Sequence, residues 1–244
     1  MVKIDLITGF LGSGKTTFLK KYAKRLMEQG QNIGILENDF GAVNVDMMLL
    51  QELEGEQCEL EMISGGCDPE THRRRFRTKL IAMGMCGYDR VLVEPSGIYD
   101  MDEFFDVLHE EPLDQWYEIG NVIAVVDARL EDTLSPEAEY LLASQAANAG
   151  CMILSKCDTA TEEQRQNTIA HLKRSLRRSA ASSGRIRKFC ARAQNRSQIR
   201  SLPRFSPAVI ISQAMRSRTL RRDRRLSRCI FWICIWTGMR LRRR

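Results

Sequence analysis

The chain has 244 residues, of which 43% are hydrophobic, and a formal net charge of +6. This composition is ordinary for a globular protein with a substantial core, and no stretch reaches the roughly 20 apolar residues that a membrane-spanning helix needs. The first residues lack the features of a secretory signal, so we expect a cytoplasmic protein. The eight cysteines are spaced too irregularly for a small disulfide scaffold, which favours reduced thiols.

The charge is divided unevenly along the chain. Residues 1–163 contain 14 Lys and Arg against 30 Asp and Glu, whereas residues 164–244 contain 23 against one. A folded domain rarely changes composition so abruptly, so the change marks a boundary. We predict a folded domain over residues 1–175 and a poorly defined, arginine-rich tail over residues 176–244.

Apolar segments alternate with amphipathic ones before this tail. Strands are predicted at residues 3–8, 33–36, 58–63, 90–93, 122–126 and 151–154. Helices are predicted at residues 15–30, 71–85, 102–108, 136–148 and 161–176. Strands that alternate with helices pair in parallel. The predicted fold class is therefore α/β, a doubly wound and mostly parallel sheet with ligands at the carboxyl ends of its strands.

A glycine-rich loop follows the first predicted strand. Residues 9–16 read Gly-Phe-Leu-Gly-Ser-Gly-Lys-Thr, which fits the P-loop pattern G-x-x-x-x-G-K-[ST] and precedes a predicted helix. Backbone N–H groups of such a loop can surround a phosphate, while Lys15 reaches the β- and γ-phosphates and the Thr16 hydroxyl binds Mg²⁺. The nucleotide-binding residues predicted here are Gly9, Gly12, Ser13, Gly14, Lys15, Thr16 and Thr17.

An acidic residue at the end of another strand is expected to complete the phosphate site. Glu94 follows the predicted strand at residues 90–93, where it can hold Mg²⁺ or orient the attacking water. Gly97 can offer its N–H to the γ-phosphate, so that the loop senses whether this phosphate is present. The alternative is that Glu94 is a surface carboxylate that caps the next helix.

The choice of base is predicted from residues 155–158, Ser-Lys-Cys-Asp, which follow an apolar strand. An Asp158 carboxylate can accept both the N1–H and N2–H groups of guanine, which adenine lacks, while the Lys156 stem covers the ring. GTPases usually have Asn where Ser155 stands, so discrimination against ATP can be weaker here. The alternative is an ordinary solvated Lys and Asp pair.

In combination, these motifs resemble those of the CobW/HypB/UreG-type P-loop GTPases over roughly residues 1–175. The resemblance rests on Gly-Phe-Leu-Gly-Ser-Gly-Lys-Thr-Thr (9–17), Glu-Asn-Asp-Phe-Gly (37–41), Ser-Gly-Gly-Cys (64–67), Glu-Pro-Ser-Gly (94–97) and Ser-Lys-Cys-Asp (155–158). It implies that GTP hydrolysis with Mg²⁺ is coupled to delivery of zinc, cobalt or nickel to a metalloenzyme client. It also implies that residues 37–46 form a switch segment.

The resemblance places Asp46 near Mg²⁺ or the attacking water. The implied catalytic residues are therefore Lys15, Glu94 and Asp46, and the implied Mg²⁺ residues are Thr16, Glu94 and Asp46. We expect no membrane span and no nucleic-acid partner, and a homodimer stays open.

The expected metal motif departs from that of the family. Many members have Cys-x-Cys-Cys, whereas residues 67–72 read Cys-Asp-Pro-Glu-Thr-His. Cys67 and His72 can supply two ligands, although Zn²⁺ usually needs three or four. The candidate third ligands are Cys58, Glu61, Asp68, Glu70 and Cys86. The alternative is that Cys67 packs at the turn and His72 begins a basic helix face (residues 73–79), solvated or facing an acidic partner or a phosphate.

The second domain usual in this family is not recognisable after about residue 175, and residues 186–190 are the only candidate for a last strand near the guanine. The tail is compatible with a basic arm for nucleic acid, an interfacial membrane anchor, or a shifted reading frame. The change from an acidic to an Arg- and Ser-rich composition favours a shifted frame. The alternative functions are an ATP-using P-loop kinase or ATPase and a nucleic-acid-binding module carried by the tail.

Overall fold

The computed structural model describes residues 1–39, 45–64, 68–95, 101–182, 209–211 and 232–235. The chain separates into two compact units, Met1–Val125 and Val126–Arg244. The division falls near the end of a strand, Tyr117–Asp127. Within the described ranges, no helix is both long enough and apolar enough to span a bilayer.

The first unit is built on a parallel sheet. Its elements are β1 (Val2–Thr8), α1 (Lys15–Glu28), β2 (Ile33–Asp39), α2 (Val45–Leu50), a 3₁₀ turn (Gln51–Leu53), β3 (Cys58–Ser64), α3 (Pro69–Gly84), β4 (Arg90–Pro95), α4 (Met101–Leu108), α5 (Leu113–Trp116) and β5 (Tyr117–Asp127). The last two residues of β5, Val126 and Asp127, belong to the second unit. Hydrogen-bonded neighbours follow the order β3-β2-β4-β1-β5, and each of these pairs is parallel. The strands that follow β1 in the chain lie on both sides of it, with β4 on one side and β5 on the other. The sheet is therefore doubly wound. The predicted α/β fold class is confirmed.

A buried ion pair lies inside the first unit. The Asp5 carboxylate is fully buried, and Nη1 of Arg90 donates to both of its oxygens at 2.7 Å. The Tyr22 hydroxyl donates to Oδ2 of Asp5 over 2.6 Å, and the Asn121 N–H donates to Oδ1 over 2.6 Å. Burial and the charge of Asp5 raise the pKa of Tyr22 well above its usual value. The cluster ties α1 and three strands together.

The basic face of α3 meets acidic residues of the same chain. Arg73 and Arg77 both bind the Glu110 carboxylate, at 2.6 and 2.9 Å. Lys79 binds Glu61 over 2.7 Å. These ion pairs within the chain fasten α3 to β3 and to the turn after α4. The alternatives left open by the sequence, a solvated face, an acidic partner or a phosphate, stay predictions.

The second unit contains α6 (Pro136–Asn148), β6 (Cys151–Ser155), α7 (Glu162–Ser182), β7 (Val209–Ile211) and β8 (Trp232–Ile235). β8 runs parallel to β6, and β7 is antiparallel to β8. The strand proposed at residues 186–190 lies outside the described residues. Helix α7 continues past residue 175, and the domain boundary placed there stays a prediction.

Helices α6 and α7 are joined by a buried polar cluster. The imidazole of His171 lies 2.6 Å from Oε2 of Glu139, and the Ser175 hydroxyl donates to Oε1 over 2.6 Å. The Thr168 hydroxyl donates to Ala128 O over 2.9 Å. These contacts hold α7 against α6 and against the residues that follow β5.

Candidate nucleotide-binding site

The glycine-rich loop lies where the sequence predicts it, between the end of β1 and the start of α1. Gly9, Gly12 and Gly14 have φ angles of 144°, 72° and 90°, which residues with a side chain rarely adopt. The Ser13 N–H donates to Phe10 O over 3.1 Å and closes the turn. A curled loop that continues into a helix N-terminus is suited to hold a phosphate.

The first glycine of this loop also lies against β5. A Cβ placed on Gly9 would lie 2.1 Å from the carbonyl oxygen of Val125 and 2.9 Å from Oγ of Ser13. The first of these contacts is with backbone, which cannot turn away as a side chain can. Gly9 therefore meets two requirements at once, a left-handed conformation and a close approach to the sheet.

The residues that begin α1 are buried, although they are polar. Lys15 and Thr16 are each 7% exposed, and Nζ of Lys15 donates to Phe10 O over 3.4 Å. The Thr16 hydroxyl donates to Oε1 of Glu94 over 2.8 Å. A hydroxyl and a carboxylate are the hard oxygen donors that Mg²⁺ prefers. These two residues therefore fit the ion that the sequence assigned to them, and they lie together.

A second buried carboxylate, Glu37, lies on the strand next to Glu94. The two residues are in register on β2 and β4 and are 2% and 3% exposed. Side chains in register on adjacent strands project from the same face of a sheet, and two buried carboxylates on one face favour a bound cation or a shared proton. Glu37 belongs to the predicted switch segment, residues 37–46, but is not among the predicted catalytic residues. It ends an apolar run as Glu94 does, and this signal could have identified it.

Two further polar side chains are buried at the carboxyl ends of β1 and β2. Thr8 and Asn38 are each 1% exposed. The Thr8 hydroxyl and the Asn38 amide atoms have no hydrogen-bond partner within the part of the chain that the structure describes. Because buried polar groups are nearly always bonded in proteins, this edge of the sheet is suited to receive polar ligand or solvent atoms.

The structure leaves the roles of several other predicted site residues as predictions. Thr17 is exposed on α1. Asp46 lies in α2, and its role near Mg²⁺ stays a prediction. Gly97 and Cys67 lie outside the described residues, so the γ-phosphate contact and the thiolate ligand also stay predictions.

His72 is buried in α3, where it is 1% exposed. Burial lowers its pKa, and the charge of Arg75 lowers it further, which favours the neutral imidazole that binds metals. Asp68 instead caps α3, because it accepts hydrogen bonds from the N–H and the hydroxyl of Thr71, both at 2.8 Å. Within the described ranges, no three His, Cys, Asp or Glu residues are grouped so that they could hold a metal ion.

The proposed third ligands have other positions or partners. Cys58 is buried at the start of β3, where burial raises the pKa of its thiol to about 11. Glu61 binds Lys79, and Glu70 lies 3.6 Å from Arg74. The remaining candidate, the exposed Cys86, follows the end of α3.

Lys156 of the predicted guanine motif lies in the second unit, where its ammonium contacts Asp127 over 2.8 Å. Its φ of 54° is the only positive value of a non-glycine residue in the described part of the chain. Arg129 binds the same carboxylate, with Nε 3.2 Å from Oδ1 and Nη2 3.2 Å from Oδ2. Partial burial acts to raise the pKa of Asp127, but hydrogen bonds from Arg129 and Lys156 outweigh it and lower this pKa to about 2.

The other residues of this motif differ in exposure. Ser155 is 2% exposed, and its hydroxyl donates to Val126 O over 3.2 Å. Asp158 is exposed, and its charge contributes to the raised pKa of Arg129, after the hydrogen bonds and the charge of Asp127. Ser155 thus joins β6 to the end of β5, while the Asp158 carboxylate is accessible to a ligand.

Taken with the parallel sheet around it, the loop between β1 and α1 defines a P-loop nucleotide-binding domain. Within that class, the chain belongs to the family described as CobW/HypB/UreG, nucleotide-binding domain, whose model matches residues 3–183. The resemblance seen in the sequence is thereby confirmed.

Two relatives of this chain come from Escherichia coli (strain K12), and both are named as zinc chaperones. YjiA is 29% identical over 172 residues, which are 67% of this chain and 52% of YjiA. YeiR is 29% identical over 167 residues, which are 68% of this chain and 50% of YeiR. The chain therefore spans about half the length of these relatives.

Solved structures of the family also match. The crystal structure of the Zn(II)-bound YjiA GTPase from E. coli matches with 25% identity and a TM-score of 0.46, over 70% of this chain and 54% of that one. The hydrogenase maturation factor HypB from Archaeoglobus fulgidus matches with 16% identity and a TM-score of 0.46, over 73% and 76% of the two chains.

Proposed function

We propose that the chain binds GTP with Mg²⁺, hydrolyses it to GDP and phosphate, and couples this cycle to delivery of a metal ion to a client metalloenzyme. The observation that carries the proposal is the 2.8 Å hydrogen bond between Thr16 and Glu94 beside the phosphate loop, in a chain of the CobW/HypB/UreG family.

The loop and Lys15 bind the phosphates in this proposal. Backbone N–H groups of residues 9–16 face the β-phosphate, and the Lys15 ammonium moves from Phe10 O to the β- and γ-phosphate oxygens. The 3.4 Å contact of Lys15 with Phe10 O is long for a hydrogen bond of an ammonium group. The lysine therefore gives up little when a phosphate replaces this carbonyl.

Hydrolysis requires that a water attack the γ-phosphorus while the bond to the β-phosphate oxygen breaks, so that GDP leaves. Thr16 and Glu94 would hold Mg²⁺, with Asp46 as the third group that the family implies. When bound, this ion supplies neutralisation of the charge that develops on the phosphate oxygens. Glu94, or Glu37 beside it on β2, can accept a hydrogen bond from the attacking water and orient it.

Guanine is the proposed base. The exposed Asp158 carboxylate can accept the N1–H and N2–H groups of guanine, and the Lys156 stem can cover the ring. A direct test is displacement of labelled GDP from the full chain by GDP, ADP or ATP. Displacement by ADP at the same concentration as GDP would overturn the choice of guanine and would favour an ATP-using enzyme.

Metal delivery is proposed on the names of the relatives, which are zinc chaperones, and on two side chains of this sequence. A thiolate at Cys67 and the imidazole of His72 would be suitable ligands for Zn²⁺, Co²⁺ and Ni²⁺. The lowered pKa of His72 keeps its imidazole neutral at pH 7, as metal binding requires. A client protein, a second copy of this chain or a switch residue would have to complete the ligand set. The four cysteines described as free, Cys58, Cys86, Cys151 and Cys157, support the further proposal of a cytoplasmic location.

The test is a titration of the reduced full chain with Zn²⁺, Co²⁺ or Ni²⁺, with and without Mg²⁺ and a non-hydrolysable GTP analogue. We expect stoichiometric binding that changes with the nucleotide and is lost in Cys67→Ala. Cys151→Ala is the matched control, since Cys151 is a free cysteine that is not among the candidate ligands. Absence of stoichiometric binding in both nucleotide states would overturn metal delivery and leave the GTPase proposal intact.

A further inference from the structure

We infer that Asp127 is a positioning residue for guanine recognition, because it fixes the side chain of Lys156 before the nucleotide binds. The inference rests on the proposed binding of GTP and adds a residue that lies outside the Ser-Lys-Cys-Asp motif. Asp127 is the last residue of β5, whereas Lys156 directly follows β6.

The contacts of Asp127 occupy both of its carboxylate oxygens. Oδ1 accepts hydrogen bonds from the backbone N–H of Arg129 over 2.9 Å and from its Nε over 3.2 Å. Oδ2 lies 2.8 Å from Nζ of Lys156 and 3.2 Å from Nη2 of Arg129. Because Arg129 binds in this two-pronged way, it sets the orientation of the carboxylate, and Oδ2 is directed at the ammonium of Lys156.

The backbone conformation of Lys156 supports a role of its contact with Asp127 in ligand binding. A lysine with φ of 54° adopts a left-handed conformation that is unfavourable for a residue with a Cβ. Strain of this kind persists where the surroundings enforce it, often at ligand sites. The turn directs the lysine stem, and Asp127 holds its far end, so both ends of the side chain are constrained.

Constraint matters because a lysine side chain loses much rotational freedom when it is ordered over a base. If Asp127 has already ordered the Lys156 side chain, this entropy is lost before the nucleotide binds. The nucleotide therefore binds with higher affinity, because its binding no longer carries this entropic cost. The hydroxyl of Ser155 cannot serve this purpose, since it is bonded to Val126 O over 3.2 Å.

The charges around Asp127 also indicate that its loss would weaken guanine binding. Arg129 and Lys156 both lie against one carboxylate, and removal of its charge would leave two neighbouring cations that repel each other. The charge of Asp158 also contributes to the raised pKa of Arg129, after the hydrogen bonds and the charge of Asp127. Loss of the Asp127 charge would therefore release the side chain of Lys156 from the position in which this contact holds it.

The experiment is a double-mutant cycle on the full chain, with GDP affinity measured by calorimetry for the wild type, Asp127→Asn, Lys156→Ala and the double variant. We expect Asp127→Asn to weaken GDP binding by about tenfold, and to have little further effect when Lys156 is already Ala. Asp127→Glu keeps the charge and should recover part of the affinity. The matched control is Glu162→Gln, which removes the carboxylate of the 2.7 Å pair with Arg165 in the same unit and should not change the affinity.

Two results would overturn the inference: an unchanged GDP affinity in Asp127→Asn, or an equal loss in the wild-type and Lys156→Ala backgrounds. The second would indicate a structural role only. If the wild type binds ADP as tightly as GDP, the proposed base choice fails, and the same cycle run with ADP still decides whether Asp127 acts through Lys156. If the wild type binds neither nucleotide, both proposals fail.

Discussion

The hydroxyl of Thr16 donates a hydrogen bond to Oε1 of Glu94 over 2.8 Å, although 78 positions separate the two residues in the chain. The contact joins the first turn of α1 to the end of β4, and both side chains are buried. These oxygens are the ones that a divalent cation beside a bound nucleotide would need. The fold alone therefore brings together two hard oxygen donors of the kind that the proposed Mg²⁺ prefers.

The first prediction concerns hydrolysis. Glu94→Gln keeps the shape of the side chain and its ability to accept a hydrogen bond from Thr16, but removes its charge. If the charge of Glu94 orients the water and the cation as proposed, we expect the rate of GTP hydrolysis to fall by about 100-fold, with little change in GDP affinity. Phosphate release in single-turnover conditions measures the rate.

The control for this prediction is Glu52→Gln, which removes an exposed carboxylate that contacts Lys20 over 2.9 Å. Lys20 lies in α1, the helix that also contains Thr16. It should hydrolyse GTP at the wild-type rate. A Glu94→Gln protein as active as the wild type would contradict the role of Glu94. Glu37→Gln should then be measured next, because Glu37 is the neighbouring buried carboxylate.

The sequence predicted most of the fold because its signals are local. Short apolar runs mark the buried strands, and the P-loop pattern fixes the position of α1, since glycines and a helix start follow one another there. The largest difference is β5, which begins at Tyr117 rather than at residue 122. Glu118 and Asn121 interrupt the apolar pattern, and the side-chain amide of Asn121 donates to the Tyr22 hydroxyl over 3.0 Å.

Other features depend on contacts between distant residues and could not be predicted locally. The short helix α2 has no amphipathic signal long enough to identify it. The pairing of β8 with β6 joins segments of very different composition. Within the site, Lys15, Thr16 and Glu94 were identified from motifs, whereas the ion pair of Asp127 with Lys156 connects two strand ends whose neighbourhood only the fold establishes.

The second prediction compares two glycines with left-handed backbones. Gly9→Ala should lower the free energy of unfolding by about 3 kcal/mol, because its Cβ would lie 2.1 Å from Val125 O in addition to the strain of its φ of 144°. Gly30→Ala should cost only about 1 kcal/mol, since its φ of 78° is strained but its Cβ would meet nothing within 4 Å. Urea unfolding measures both, and equal losses would show that the close approach at Gly9 is not important.

The third prediction concerns the buried ion pair. Asp5→Asn should lower the free energy of unfolding by about 3 kcal/mol, because it leaves the guanidinium of Arg90 buried without its counter-charge. Replacing Arg90 by Leu in the same protein should recover part of this loss. The control is Glu28→Gln, which breaks an exposed 2.9 Å pair with Arg25 and should cost less than about 1 kcal/mol. Equal losses in the two single variants would contradict the role assigned to the buried pair.

The last prediction concerns pH and Asp127. Its pKa is lowered to about 2 in the folded protein, whereas an unfolded Asp has a pKa of about 3.9. A group whose pKa is depressed on folding stabilises the folded state above its unfolded pKa, and this contribution disappears as the pH falls through the folded value. The difference in free energy of unfolding between the wild type and Asp127→Asn should therefore be constant from pH 7 to about pH 5 and decrease from about pH 4 towards pH 2. A carboxyl-carbon NMR titration of Asp127 gives the same quantity directly. A midpoint near pH 4 would show that Arg129 and Lys156 do not hold this carboxylate in its charged form, and would remove the electrostatic basis for its action on Lys156.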